Sequence, residues 1–233
     1  MIQHPGHRQR PYPKTRLRLA AAMLAAMVLG GSLGGCQLAG VMAASQERYG
    51  SHTVEAEYTG LVGKSYAVVA WTDRSTQMEY PALTPSLMQR VDLVLAANSG
   101  ASGHIEGDAV TDYLANTPQW VAWPRSRLAD ELGKEGVDRV VLIEVNEFRT
   151  NEPGNEYLWN GVAWATVSVI ERGAEGSDAE AFRKEIRVTF PDATGYGPEE
   201  ISKQGVASTL LKRLVDRVGW LFYEHDEPNA LKY

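Results

Sequence analysis

The stretch 137–148, VDRVVLIEVNEF, does most to narrow the folds open to this chain of 233 residues. Its centre, Val140, Val141, Leu142 and Ile143, is apolar at four successive positions. Side chains of a strand point alternately to opposite faces, so four apolar residues in a row ask for burial on both. The segment is therefore predicted as an internal strand of a sheet. A second apolar run, 66–71 (YAVVAW), is flanked by Lys64 and Asp73 and has the length of a buried strand.

The meander follows from two further segments. In 161–170, Ala163, Ala165, Val167 and Val169 share one face. In 182–190, Phe182, Ile186, Val188 and Phe190 alternate with Arg183, Glu185, Arg187 and Thr189, a strand wet on one side. Short polar turns join the last three strands, so they are expected to run antiparallel. Helices are predicted where apolar residues recur at helical spacing. One opens at Thr84-Pro85 and carries Leu87, Met88, Val91, Val94 and Leu95. Two short ones cover 108–114 and 126–133. The last opens at Pro198-Glu199-Glu200 and carries Ala207, Leu210, Leu211, Leu214, Val218, Leu221 and Phe222. Residues 119–123 are expected as a short strand stopped by Pro124, 99–108 as a loop, and 52–63 as an arm or short strand. The fold class is α/β (α+β). It is a single mixed sheet with a C-terminal antiparallel meander, helices packed mainly on one face, and a long C-terminal amphipathic helix.

The N-terminus has a different character. Residues 1–18 carry five positive charges and no acid; 19–29 (LAAAMLAAMVL) carry no charge at all. Small residues then lead to Cys36, the one cysteine of the chain. A basic start, a short apolar run and small residues before a cleavage point make a secretory signal. The apolar run is about half of the roughly 20 residues a spanning helix needs. Leu33-Gly34-Gly35-Cys36 resembles the lipobox of bacterial lipoproteins. The resemblance implies a diacylglycerol thioether on Cys36, cleavage before it, and acylation of the new amino group, with palmitate among the chains. Two or more buried chains make anchoring stable. Residues 19–45 lack charged side chains, so an uncleaved helical anchor is the competing reading, and an ordinary cleaved signal the third. Gln37 after the cysteine favours the outer membrane over the inner. The domain scheme is thus 1–35 signal peptide, 36–51 lipidated N-terminus and tether, and 52–233 one globular domain.

Five of the 23 basic residues and none of the 29 acidic ones precede Cys36, so the chain from there on carries a net charge of −11. That repels phosphate backbones and argues against nucleic acid as a partner. Of the histidines, only His52, His104 and His225 follow the signal, and no pair has metal-ligand spacing. No phosphate loop, dinucleotide fingerprint or nucleophile elbow occurs, so no cofactor, metal or catalytic residue is assigned. His104, Glu106 and Asp108 form the one suggestive group, an imidazole and two carboxylates in a glycine-flanked loop. A base or cation site would need them to converge in a pocket, and a solvated loop would let them splay. Two aromatic groups remain, Trp120 with Trp123, and Tyr157 with Trp159 and Trp164. Aromatics in strands are ordinarily core. Trp159, beside the EPGN turn, is the best candidate for exposure, and Trp159 and Tyr157 are the candidate partner contacts.

Three stretches together, KSYAVVAW (64–71), LADELGKEGVDRVVLIEVNEF (128–148) and IRVTFP (186–191) before the last helix, resemble the N-terminal-domain group of CsgG, LpoB and TolB. The resemblance spans about 64–225 and implies a small envelope α/β domain, often lipid-anchored, that works through protein contacts. The long 72–108 region departs from the pattern, and no pore-forming hairpins of the CsgG type are evident. The expected protein is a lipid-anchored, non-catalytic assembly or accessory factor facing the periplasm, with an envelope protein as partner and room for homo-oligomers. The alternatives are a lipid-anchored hydrolase or glycan-acting enzyme using dispersed acids, and a ligand carrier with an apolar cavity under the last helix.

Overall fold

The computed structural model describes residues 50–155, 157–173 and 180–229. The signal segment, the lipobox residues Leu33, Gly34 and Gly35, Cys36 and the tether up to residue 49 lie outside the described residues. His52–Glu227 belong to one compact unit. Gly50 and Ser51 fall with Pro228 and Asn229 in a second, in which the Asn229 amide donates to the Gly50 carbonyl at 2.8 Å.

Among the described residues the elements run in the order β1 (Ser51–Val54), β2 (Ser65–Thr72), α1 (Arg74–Glu79), α2 (Leu83–Asn98), β3 (Gly103–His104), α3 (Gly107–Asn116), a 3-10 turn (Pro118–Ala122), α4 (Arg125–Gly133), β4 (Arg139–Arg149), β5 (Gly161–Glu171), β6 (Glu180–Phe190), α5 (Lys203–Trp220) and β7 (His225–Pro228). The main sheet has the order β3-β2-β4-β5-β6; β1 and β7 form a separate two-stranded sheet. β4 lies at the centre, parallel to β2 and antiparallel to β5, and Val141 and Ile143 are fully buried. The expected internal strand and antiparallel meander are both present.

Register defines the faces. Val68, Val141 and Val169 align on one face, as do Ala70, Ile143 and Val167. The two long helices α2 and α5 lie there: the Tyr66 hydroxyl donates to the Asp92 carbonyl of α2, and Gly161 faces Leu210 and Val206 of α5. Val206, Leu210, Leu214 and Val218 of α5 are fully buried. Burying a side chain of this size contributes about 1.5–3 kcal/mol. This stripe packs α5 against the sheet. The shorter α4 and the 3-10 turn approach the opposite face, where Arg125 reaches Glu144.

Several expectations are corrected. Residues 119–123 are not a strand: Thr117, Trp120 and Trp123 amides donate in succession to carbonyls three residues back, the local pattern of a 3-10 turn. Pro118, which has no amide to donate, suits its first position. The last helix opens at Ser202, whose hydroxyl accepts from the Gly205 amide at 3.1 Å, and not at Pro198. Glu200 is spent on the preceding turn, accepting from the Gly197 amide at 2.7 Å. The 99–108 loop contains the short β3, and α1 stands where no element was expected. Its cap is Asp73, which accepts from the Ser75 and Thr76 amides.

Candidate functional site

The residues 104, 106 and 108 do not converge. His104 turns inward to Asp92 of α2, with Nδ1 2.8 Å from the carboxylate. Asp108 turns toward the same helix and accepts from the Gln89 side-chain Nε2 at 3.3 Å. Glu106 is exposed at the start of α3. Among the described residues no three His, Cys, Asp or Glu side chains stand close enough to hold a metal.

Asp92 is the residue that sequence reasoning passed over. Its side chain is 4% exposed, and its second oxygen accepts from the Gly107 amide at 3.2 Å. It thereby caps α3, whose own cap residue makes no side-chain bond. Tyr66 stacks on His104 at 5.8 Å, and burial raises the Tyr66 hydroxyl well above its usual pKa, helped by the Asp92 charge. His104 and Glu106 line an open cleft of about 510 Å³ with Tyr113 and Leu132. Chemically this is an oriented imidazole at the rim of a cleft, with its acid engaged in joining two helices.

The aromatic groups divide by position. Trp159 is buried at 8% exposure, which corrects the expectation that it is exposed. Its indole N–H donates to the Ile201 carbonyl at 2.7 Å, and its amide donates to Tyr196 at 2.8 Å. An indole donor needs an acceptor when buried, and the approach to α5 supplies one. Tyr157 is 83% exposed. The Asn155 side chain accepts from the Tyr157 and Leu158 amides, so two local hydrogen bonds hold the backbone that carries the exposed ring. Leu158 and Tyr196 beside it are also exposed.

A cleft of about 620 Å³ opens at the same end, where β4 ends and α5 begins. Leu83, Phe148, Ala207 and Leu211 make its apolar lining, and Tyr80, Lys203 and Arg90 stand at its walls. Lys203 lies over the Tyr80 ring at 5.6 Å and pairs with Glu79 at 2.7 Å. The pairing lowers the Glu79 pKa and raises that of Lys203, while burial raises Tyr80. Arg90 makes no hydrogen bond or ion pair among the described residues.

Trp120 and Trp123 are half-buried and meet Trp71 of β2 in a small cleft of about 170 Å³ that includes Glu144 and Arg125. Arg125 binds Glu144 and Glu180, and Glu180 accepts from Ser168 at 2.9 Å. Trp164 is half-buried on β5, opposite Glu147 and Arg187.

No family model matches the sequence. No curated protein sequence matches it either. Solved structures similar to it include the lipoprotein GNA1162 from Neisseria meningitidis, 14% identical with a TM-score of 0.42, over 66% of this chain and 97% of that one. A PelC dodecamer from Paraburkholderia phytofirmans is 16% identical with a TM-score of 0.40, over 75% and 98%. The hypothetical protein CT253 from Chlamydia trachomatis is 15% identical with a TM-score of 0.42, over 69% and 98%.

Proposed function

We propose that the protein is a lipid-anchored, non-catalytic accessory factor of the bacterial cell envelope. It is held through Cys36, faces the periplasm from the outer membrane, and acts by binding another envelope protein. The observation that carries the contact role is Tyr157, a large aromatic side chain 83% exposed, whose amide donates to the Asn155 side chain. Aromatic anchors on a rigid frame dominate protein interfaces because little conformational entropy is lost on docking. Leu158, Tyr196 and the cleft at the start of α5 extend the same end. The anchoring role rests on the basic start, apolar run and Leu33-Gly34-Gly35-Cys36 in that order. The pattern of 64–71 and 128–148 aligns this reading with the CsgG, LpoB and TolB N-terminal-domain group.

The alternative, a lipid-anchored hydrolase or glycan-acting enzyme, draws on the Asp92–His104 contact. The splaying of Glu106 and Asp108 away from that imidazole supports the contact reading over it.

Two measurements on native membranes test the proposal. The intact mass of the extracted protein is expected to start at Cys36 with added acyl mass, and a Cys36→Ser variant to lack that mass. A photoreactive phenylalanine analogue at position 157 is expected to yield a discrete cross-linked protein on irradiation, and the same analogue at exposed Leu93 to yield none. Retention of residues 1–35 in both forms would end the anchor reading. Equal cross-linking from both positions would end the contact reading.

A further inference from the structure

The sheet face opposite the two long helices carries an arrangement that the contact surface at Tyr157 does not use. Register places Trp71, Glu144, Thr166 and Glu185 in one row across β2, β4, β5 and β6. Trp164 lies two residues along β5 from Thr166, on the same face. Strands about 4.8 Å apart and a rise of about 3.4 Å per residue put the Trp71 and Trp164 backbones about 12 Å apart. Trp120 and Trp123 close the small cleft around Trp71. Asn146 donates to Thr166 between the two rings at 2.9 Å. On β6, Arg183, Glu185 and Arg187 of this face are exposed.

The charges on this face balance, several in direct pairs, with Glu185 and Arg187 adding one of each sign. Arg125 is bound by Glu144 and Glu180, Arg183 by Glu180, and Arg149 by Glu147. In a chain that is otherwise strongly acidic, a locally neutral surface does not select an ion. Indole rings separated by an exposed amide and paired ionic groups offer a ligand both stacking and hydrogen bonds of either sense. A pyranose chain has the complementary chemistry: flat C–H faces for the rings, and hydroxyl edges that donate and accept. The 170 Å³ cleft at Trp71 is below the size of a drug-like site and suits a single ring. The spacing to Trp164 leaves room for further sugar units between.

We infer that this face binds a neutral glycan chain, with Trp71 and Trp164 as stacking platforms and Glu144 and Asn146 as hydroxyl partners. The site is separate from Tyr157, so it stands or falls independently of the contact reading.

The test titrates the full chain in detergent with three soluble neutral probes: cellohexaose, chitohexaose and maltohexaose. Tryptophan fluorescence and calorimetry are the readouts. The expected result is saturable binding of at least one probe, unchanged between low and high salt because no net charge is involved. Trp71→Ala and Trp164→Ala should each weaken it about tenfold, the loss of one stacked ring. Trp71→Phe and Trp164→Phe retain an aromatic face and should recover most of it, which separates stacking from folding. Tyr157→Ala should bind as the wild type does. Failure of all three probes to bind, binding that Trp164→Ala leaves intact, or binding abolished by salt would overturn the inference.

Discussion

Asp92 and Asp138 are two carboxylates put to structural use, one buried and one in water. Asp92 joins α2 to the loop before α3 through His104 and the Gly107 amide. Asp92→Ala strands a buried amide and an imidazole without their acceptor, and should cost about 1–3 kcal/mol in a urea unfolding curve. Asp138 is exposed. It ties the start of β4 to the start of β2 by accepting from the Ser65 amide and hydroxyl, both at 3.0 Å. These bonds hold its pKa below the usual carboxylate range. A depressed carboxylate contributes stability that is complete above its unfolded pKa and is lost as pH falls through the folded one. Asp138→Asn should therefore lower the Tm at pH 7, by a few degrees for a change of about 1 kcal/mol. The gap between the two proteins should close as the pH is taken down through about 4. A gap constant with pH would mean that the charge is not what ties the strands.

At the scale of elements, close approach and capping decide what periodicity cannot. A Cβ on Gly107 would meet the Gln89 backbone at 2.7 Å. Backbone cannot yield as a flexible side chain does, so Gly107→Ala should separate α2 from α3 and cost about 1–3 kcal/mol. Ser202→Ala removes the α5 cap and should cost about 1 kcal/mol. Thermal melts of the two variants read both effects. The same physics marks what the sequence could tell. β5, β6 and α5 are legible because their apolar residues repeat with a period that burial enforces, and β2 and β4 because an unbroken apolar run asks for burial on both faces. The 3-10 turn resembled a strand because QWVAW is apolar without a period, and the bonds that decide it are local. The start of α5 was misplaced because Glu199 and Glu200 suit a helix dipole, yet Glu200 is held by the turn before Ser202. Asp92 was hidden within the stripe of Met88, Val91 and Leu95. An acid at core spacing is the signal that would have found it. Tyr157 and Trp159 are two residues apart, and only the acceptor at Ile201 decides which is buried.

For the whole molecule, the proposed anchor at Cys36 would place membrane attachment outside the folded domain. Among the described residues, the buried core lies between Leu61 and Phe222. Among the described residues no helix is long and apolar enough to cross a membrane. The chain from Cys36 onward has a net charge of −11, which opposes adsorption to anionic lipid. Arg48 and Glu47 cancel, so a fragment beginning at Gly50 keeps that charge. Such a fragment should remain in the supernatant, unfold in one cooperative transition, and leave anionic vesicles unbound in a flotation assay at low salt. The full chain made in a bacterium that processes lipoproteins should float with membranes. The two results together would assign attachment to the segment before Gly50. Flotation of the fragment itself would assign it to the folded domain, and the exposed apolar end at Tyr157, Leu158 and Tyr196 would then be the first surface to mutate.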